Sequence, residues 1–228
     1  MIKEGGKTKT KDLIIGKYGD RFIVGVSGGK DSTATALHLL ESLYTKEDFE
    51  RVFIDVGWEH PATYLYLEEL QDTIGEITII SSDIAIPAQH REFVEGIESG
   101  LGFQSPMVRY IIKYLMFPSR VAKWCTRELK LRPLSQYFKG LDFDPVNVVG
   151  IRKAESKRRS KFLSLEWHNM LDAYTYRPIL DWSLSDVIAI HKRFNLAPNP
   201  LYLESSDRVG CYPCINANKK AVEAIGSN

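Results

Sequence analysis

Apolar positions cluster into two kinds of segment that alternate along the first half of the chain. Four short runs, "RFIVGV" (21–26), "RVFIDV" (51–56), "EITIIS" (76–81) and "PVNVVGI" (145–151), are rich in Val and Ile and bounded by polar or Gly positions. Such runs read as strands buried on both faces. Between the first two lies a helical stripe of Ala36, Leu37, Leu40 and Leu43. Between the next two lies "PATYLYLEELQDTIG" (61–75), with Pro61 in the first turn and Gly75 as the stop. Strand–helix alternation predicts an α/β fold, a doubly wound parallel sheet with flanking helices. Ligands of such sheets bind beyond the carboxyl ends of the strands. Residues 87–140 read as mostly helical. Residues 183–195 read as a helix capped by Ser183 or Ser185, with Val187, Ile188 and Ile190 on its apolar side. The expected organisation is an N-terminal extension (1–20), one nucleotide-binding domain (21–215) and a short, frayed tail (216–228).

Composition narrows the class by exclusion. The 228 residues carry 30 Lys and Arg against 29 Asp and Glu, a net charge of +1, so no global field draws the chain to nucleic acid or membrane. The apolar run of the basic N-terminus, "LIIG", is too short for a signal-peptide core, and no run approaches a membrane span. Three cysteines do not make a disulfide framework. They predict a reducing, cytoplasmic compartment, where gathered cysteines serve metal or catalysis more often than a disulfide.

The densest chemistry is "SGGKDS" (27–32), between the first strand and the first helix. Gly28 and Gly29 let N–H groups approach an anion without a Cβ in the way. The helix N-terminus adds free donors and partial positive charge. Ser27 and Ser32 bring hydroxyls, and Lys30 a full charge. The stretch suits phosphate, yet it has neither the Walker A spacing nor that of the dinucleotide fingerprint. A plain strand-to-helix turn with a serine cap is the structural alternative.

Other groups fall at the same expected edge. Asp55 ends the second strand, where a carboxylate can hold a ribose hydroxyl or Mg²⁺, or simply close a turn. "GIRKAESKRRSK" (150–161) carries six bases in twelve residues, of which Arg152 and Arg159 are candidate phosphate or sulfate forks. "RVAKWCTRELKLR" (120–132) adds Arg120, Lys123, Arg127, Lys130 and Arg132, a local basic face compatible with a nucleic-acid partner. Cys211 and Cys214 form a C-x-x-C, which serves as a redox pair, half a zinc site or part of an iron–sulfur site.

"SGGKDS" resembles the signature loop of the PP-loop ATP pyrophosphatases, which cleave ATP between its α- and β-phosphates. "FIDVGWEHPATYLYLEEL" (53–70), "WCTRELKLRPL" (124–134), "GIRKAESKRRS" (150–160) and "RPILDWSLSDVIAIHKRFNLAPNPLYLESSDRVGCYPC" (177–214) resemble, in order, the segments of the phosphoadenylyl-sulfate (PAPS) reductase family. The likeness spans about residues 21–215 and implies an adenine nucleotide alpha hydrolase-like fold. It implies that Ser27, Gly28, Gly29, Lys30, Asp31 and Ser32 hold phosphates, that Asp31 lies near the metal or phosphates, and that Gly150, Arg152 and Arg159 belong to an anion clamp, with Lys30, Asp31 and Arg152 nearest the chemistry. It implies that Cys125, Cys211 and Cys214 lie together. Cluster-bearing members hold a 4Fe–4S cluster on four thiolates; Trp124 stands where a second adjacent cysteine would be, leaving three thiolates and an open iron, a zinc site, or no metal.

Three functions follow. One is an enzyme that uses ATP and Mg²⁺ to adenylate or activate a substrate in sulfur transfer. A second is a PAPS or adenylyl-sulfate reductase. Against it stand the intact Lys30–Asp31 pair, absent from reductase loops, and the lack of a cysteine after Cys214. A third is a nucleotide-binding subunit of a nucleic-acid modification or defence complex. An adenine nucleotide is the expected ligand, no membrane is expected, and a homo-oligomer or a subunit of a larger complex is the expected state.

Overall fold

The computed structural model describes residues 14–42, 44–203, 208–219 and 222–223. Leu43, residues 1–13 of the expected extension, and 220–221 and 224–228 of the expected tail lie outside the described residues. Six strands form one sheet in the order β3-β2-β1-β4-β6-β5. They are β1 (Arg21–Gly25), β2 (Phe49–Asp55), β3 (Thr78–Ser81), β4 (Pro145–Val148), β5 (Leu165–His168) and β6 (Ala173–Tyr176). Every neighbouring pair is parallel except β5–β6. All four expected strands are present, with ends trimmed or shifted by up to three residues, but β3 is not buried on both faces as its run predicts: it is the edge strand, and Ile79 is 65% exposed. The β5–β6 pair was not expected: "LEWH" and "AYTY" are four-residue strands without a continuous Val/Ile run.

The helices are α1 (Lys30–Glu41), α2 (Pro61–Ile74), α3 (Arg91–Leu101), α4 (Pro106–Tyr114), α5 (Arg132–Lys139) and α6 (Leu184–Arg193). A helical turn, Trp124–Thr126, and a π-helical turn, Arg127–Leu131, lead without a break into α5. The 87–140 region is thus mostly helical, as its pattern predicts. Ser183 rather than Ser185 caps α6, accepting from the Asp186 N–H at 3.2 Å while Asp186 answers the Ser183 N–H at 2.8 Å.

Alternation along β1 divides the core into two layers. Phe22 and Val24 face a cluster built with Leu37 of α1, Leu67 and Leu70 of α2, and Val187 and Ile190 of α6. Ile23 faces the other layer, with Leu134 and Phe138 of α5. Burial of 99% or more at Phe22, Ile23 and Val24 is why the strand reads as an unbroken apolar run. A third cluster, around Val56, Ile84, Met107, Tyr110, Trp124 and Leu129, sits past the end of β2. β1 pairs on one side with β2, reached through α1, and on the other with β4, so the order reverses beside β1. In a doubly wound sheet this reversal opens a crevice at the carboxyl edge, directly above residues 27–32.

Candidate phosphate-binding site

The loop from β1 to α1 is built around its glycines. Gly28 has φ of +69°, and a Cβ there would stand 2.9 Å from Thr63 Cγ2 of α2. Gly29 is the N-cap of α1 and offers no side-chain cap to the first N–H groups. The serine-capped turn is therefore not what forms. Ser32 braces the loop from within instead, accepting from the Ser27 N–H at 3.1 Å and donating to the Gly29 carbonyl at 2.9 Å. The Ser27 and Ser32 hydroxyls also meet at 3.1 Å.

The two charged residues of the first helical turn meet the β4 edge. The Arg152 Nε donates to Asp31 Oδ1 at 2.5 Å, with side chains only 7% and 14% exposed. Lys30 Nζ lies 3.4 Å from the other Asp31 oxygen. Arg152 thus reaches the loop, and its partner there is the Asp31 carboxylate. Gly150 makes this approach possible: a Cβ on it would fall 2.5 Å from the Asp31 carbonyl oxygen and 2.7 Å from the Ser32 nitrogen. Arg159 is turned to Glu155, with which it pairs, and Glu155 in turn accepts from the Arg152 N–H at 2.8 Å. Asp55 closes the turn after β2, accepting at one oxygen from the Gly57 N–H at 2.7 Å and the Tyr64 hydroxyl at 2.8 Å. Burial first, and this bond second, raise the Tyr64 phenol, keeping it a donor.

Three residues of the C-terminal segment cover the loop and were not singled out in the sequence. The Lys30 N–H donates to the Tyr202 hydroxyl at 3.0 Å, and the Lys30 ammonium lies 4.9 Å above the Tyr202 ring. Asn199 Nδ2 donates to the Gly28 carbonyl at 3.3 Å. His191 Nε2 stands 2.9 Å from the Lys30 carbonyl, and burial lowers its pKa, so the neutral ring donates there. The Tyr202 hydroxyl occupies the position at a helix N-terminus that an anion takes. Only the "NPLY" resemblance could have pointed to it, because the contact spans 172 residues.

The cysteines gather less closely than a ligand set requires. Cys125 and Cys211 pack against the third apolar cluster. Cys211 is bridged to Glu59 as an isolated antiparallel pair, with its sulfur 3.8 Å from the Glu59 carboxyl. Burial pushes the Cys211 thiol up against the pull of Lys130, and pushes Glu59 up to about 7. Lys130 is itself disfavoured by burial, but Cys211, Glu59 and Cys214 around it outweigh that and hold it above its ordinary range. Among the described residues no three Cys, His, Asp or Glu side chains form a group fit for a metal ion. The expected three-thiol cluster or zinc site is not assembled in this arrangement, and nothing below is routed through one. Trp124 is not a vacant ligand position: it is buried and packs at 5.9 Å on Tyr110 and 5.4 Å on Tyr114.

A reversed-order parallel sheet with a glycine-rich loop at its switch point defines an adenine nucleotide alpha hydrolase-like fold. The chain belongs to the phosphoadenosine phosphosulfate reductase domain family, whose model matches residues 21–217. An Escherichia phage 186 protein of 37.8 kDa is 30% identical over 239 residues, covering 89% of this chain and 69% of its own. A Methanocaldococcus jannaschii protein is also 30% identical, but this chain spans only 35% of its length. Adenosine 5'-phosphosulfate reductase 1 of Bacillus subtilis is 23% identical, covering 87% of this chain and 75% of its own. Among solved structures, PAPS reductase from Candida auris in a phosphate complex superposes with a TM-score of 0.57 at 12% identity, covering 85% of this chain and 82% of that one. FMN adenylyltransferase of Candida glabrata, with FMN and an ATP analogue, gives 0.52 at 15% identity, covering 90% and 62%. These likenesses fix the fold. Among the described residues no helix is long and apolar enough to cross a membrane.

Proposed function

We propose that the chain binds ATP, delivered with Mg²⁺ as its counter-ion, on the 27–32 loop and activates an acceptor by adenylation in sulfur-transfer chemistry. The observation that carries the reading is the Lys30–Asp31 pair in the first turn of α1, behind a glycine N-cap that brings no capping side chain of its own. Adenylation forms an acceptor–AMP bond as the bond between the α- and β-phosphates of ATP breaks and pyrophosphate leaves. Its catalytic need is cationic and N–H stabilisation of charge growing on the β-phosphate, not a nucleophile on the enzyme. Lys30 and the α1 N-terminus supply that, and Arg152 holds Asp31 in place behind them. For phosphate to settle, the Tyr202 hydroxyl must leave the Lys30 N–H.

Reduction of adenylyl sulfate or PAPS is the second reading, favoured by the relatives named as such reductases. One assay separates the two. The purified chain, given MgATP and sulfate or a small RNA as acceptor, is expected to release pyrophosphate and no orthophosphate. Sulfite release from PAPS with thioredoxin, without pyrophosphate from ATP, would replace the first reading with the second.

A further inference from the structure

The stretch from Ser99 to Arg127 contains no Asp or Glu and five bases, in a chain whose net charge is only +1. It bears α4 and the connection that leads to Trp124. Much of this stretch is apolar yet uncovered: Leu115 is 78% exposed, Phe117 65% and Val121 98%. An apolar surface of this kind on a soluble fold marks a binding face. At its centre is a cleft of about 470 Å³, lined by Tyr114, Met116, Val121, Lys123, Trp124 and Arg127. That is the volume of a site for one nucleotide-sized group.

Charge and ring chemistry together select the occupant. Two cations and no carboxylate line the cleft. The Glu128 carboxylate, next to the wall, is shared between Arg127 at 2.7 Å and Arg132 at 3.1 Å, which leaves the local balance positive. Lys113 and Arg120, both exposed, flank Phe117 in the sequence; the Lys113 ammonium lies 5.6 Å from the Tyr110 ring and the Arg120 Nε donates to the Ile215 carbonyl at 3.4 Å. Tyr110, Trp124 and Tyr114 form a mutually packed aromatic trio, of which only Tyr114, 36% exposed, is not buried. Unstacked bases take aromatic faces, and a backbone of phosphates takes spaced cations. A duplex keeps its bases stacked and cannot offer one to a cleft.

We propose that this face binds a single strand of nucleic acid, with one unstacked base in the cleft and its phosphates along Lys113, Arg120 and Lys123. The proposal deepens the proposed function by naming the chemistry of its acceptor; the cleft abuts Cys125, the neighbour of Trp124. Strand binding does not itself depend on ATP.

The test uses the full chain and labelled twelve-nucleotide RNA and DNA, single-stranded and as duplexes of the same sequence, followed by fluorescence anisotropy. At 50 mM KCl a single strand is expected to bind, RNA or DNA identifying the sugar, and the duplex at least tenfold more weakly. Three phosphate contacts give a log–log salt slope of about −2, so affinity falls about 20-fold by 200 mM. The pair Lys113→Glu and Lys123→Glu is expected to weaken binding more than tenfold, and Phe117→Ser alone about fivefold; all three positions are exposed. An ATP-induced thermal shift, unchanged in these variants, shows that the fold and the 27–32 loop are intact. Lys30→Ala is expected to abolish that shift and keep strand binding, so failure of the nucleotide reading is told apart from failure of this one. No binding of either single strand at 50 mM, equal binding of duplex, or full binding by the charge-reversed variant overturns the proposal.

Discussion

Gly150→Ala is expected to unfold the chain at lower urea and to weaken ATP binding at least tenfold together. The added methyl would meet main-chain atoms, at 2.5 Å from the Asp31 carbonyl oxygen, 2.6 Å from its carbon and 2.7 Å from the Ser32 nitrogen. No side chain can swing aside, so the first turn of α1 must move away from β4. Overpacking of this kind costs about 3 kcal/mol. The displaced turn carries the N–H groups and Lys30 proposed to hold phosphate, so stability and binding fail together. Gly96→Ala is the control. It lies inside α3 with nothing within 4 Å of the added Cβ, and is expected to gain about 1 kcal/mol from helix propensity without touching ATP binding. Urea unfolding and nucleotide titration read both.

Asp31→Asn tests the pair behind the loop. It removes the carboxylate that Arg152 reaches at 2.5 Å while the guanidinium side chain stays 93% covered. Breaking a fully buried pair costs about 3–5 kcal/mol; with one partner 14% exposed, we expect about 2–3 kcal/mol. Adding Arg152→Met removes the stranded charge, and the double variant is expected to regain part of the stability. It is not expected to regain ATP binding, because the turn then lacks its tether to the β4 edge. A double variant as unstable as Asp31→Asn would show that the pair is not the source of the loss.

How far the sequence foretold these features depended on the range of the interactions that create them. β1, β2 and β4 are legible because central parallel strands bury both faces and so are rich in Val, Ile and Phe, even with Arg51 and Asn147 buried among them. β5 and β6 escape the same reading: each is four residues long, β5 lies at the sheet edge with no buried position, and in β6 the buried positions alternate and include Thr175. The glycine loop is legible because its chemistry is written in six consecutive residues. Its surroundings are not. Arg152 meets Asp31 across 121 positions and Tyr202 meets Lys30 across 172, and no local pattern encodes either. Asp55 and Arg159 are missed for a local reason: a turn and a ligand position call for the same carboxylate, and Arg159 pairs with Glu155, four residues earlier across the extended Ser156.

The central claim is that ATP is held by the Lys30–Asp31 turn. Its most direct test is a thermal-shift comparison of MgATP, adenylyl sulfate and PAPS on the wild-type chain and on Lys30→Ala. MgATP at 100 times its dissociation constant is expected to raise the melting temperature by about 5 °C or more. In Lys30→Ala the ligand-free melting temperature should hold while the ATP shift disappears. A shift from adenylyl sulfate or PAPS but none from ATP, or a full ATP shift in Lys30→Ala, would contradict it.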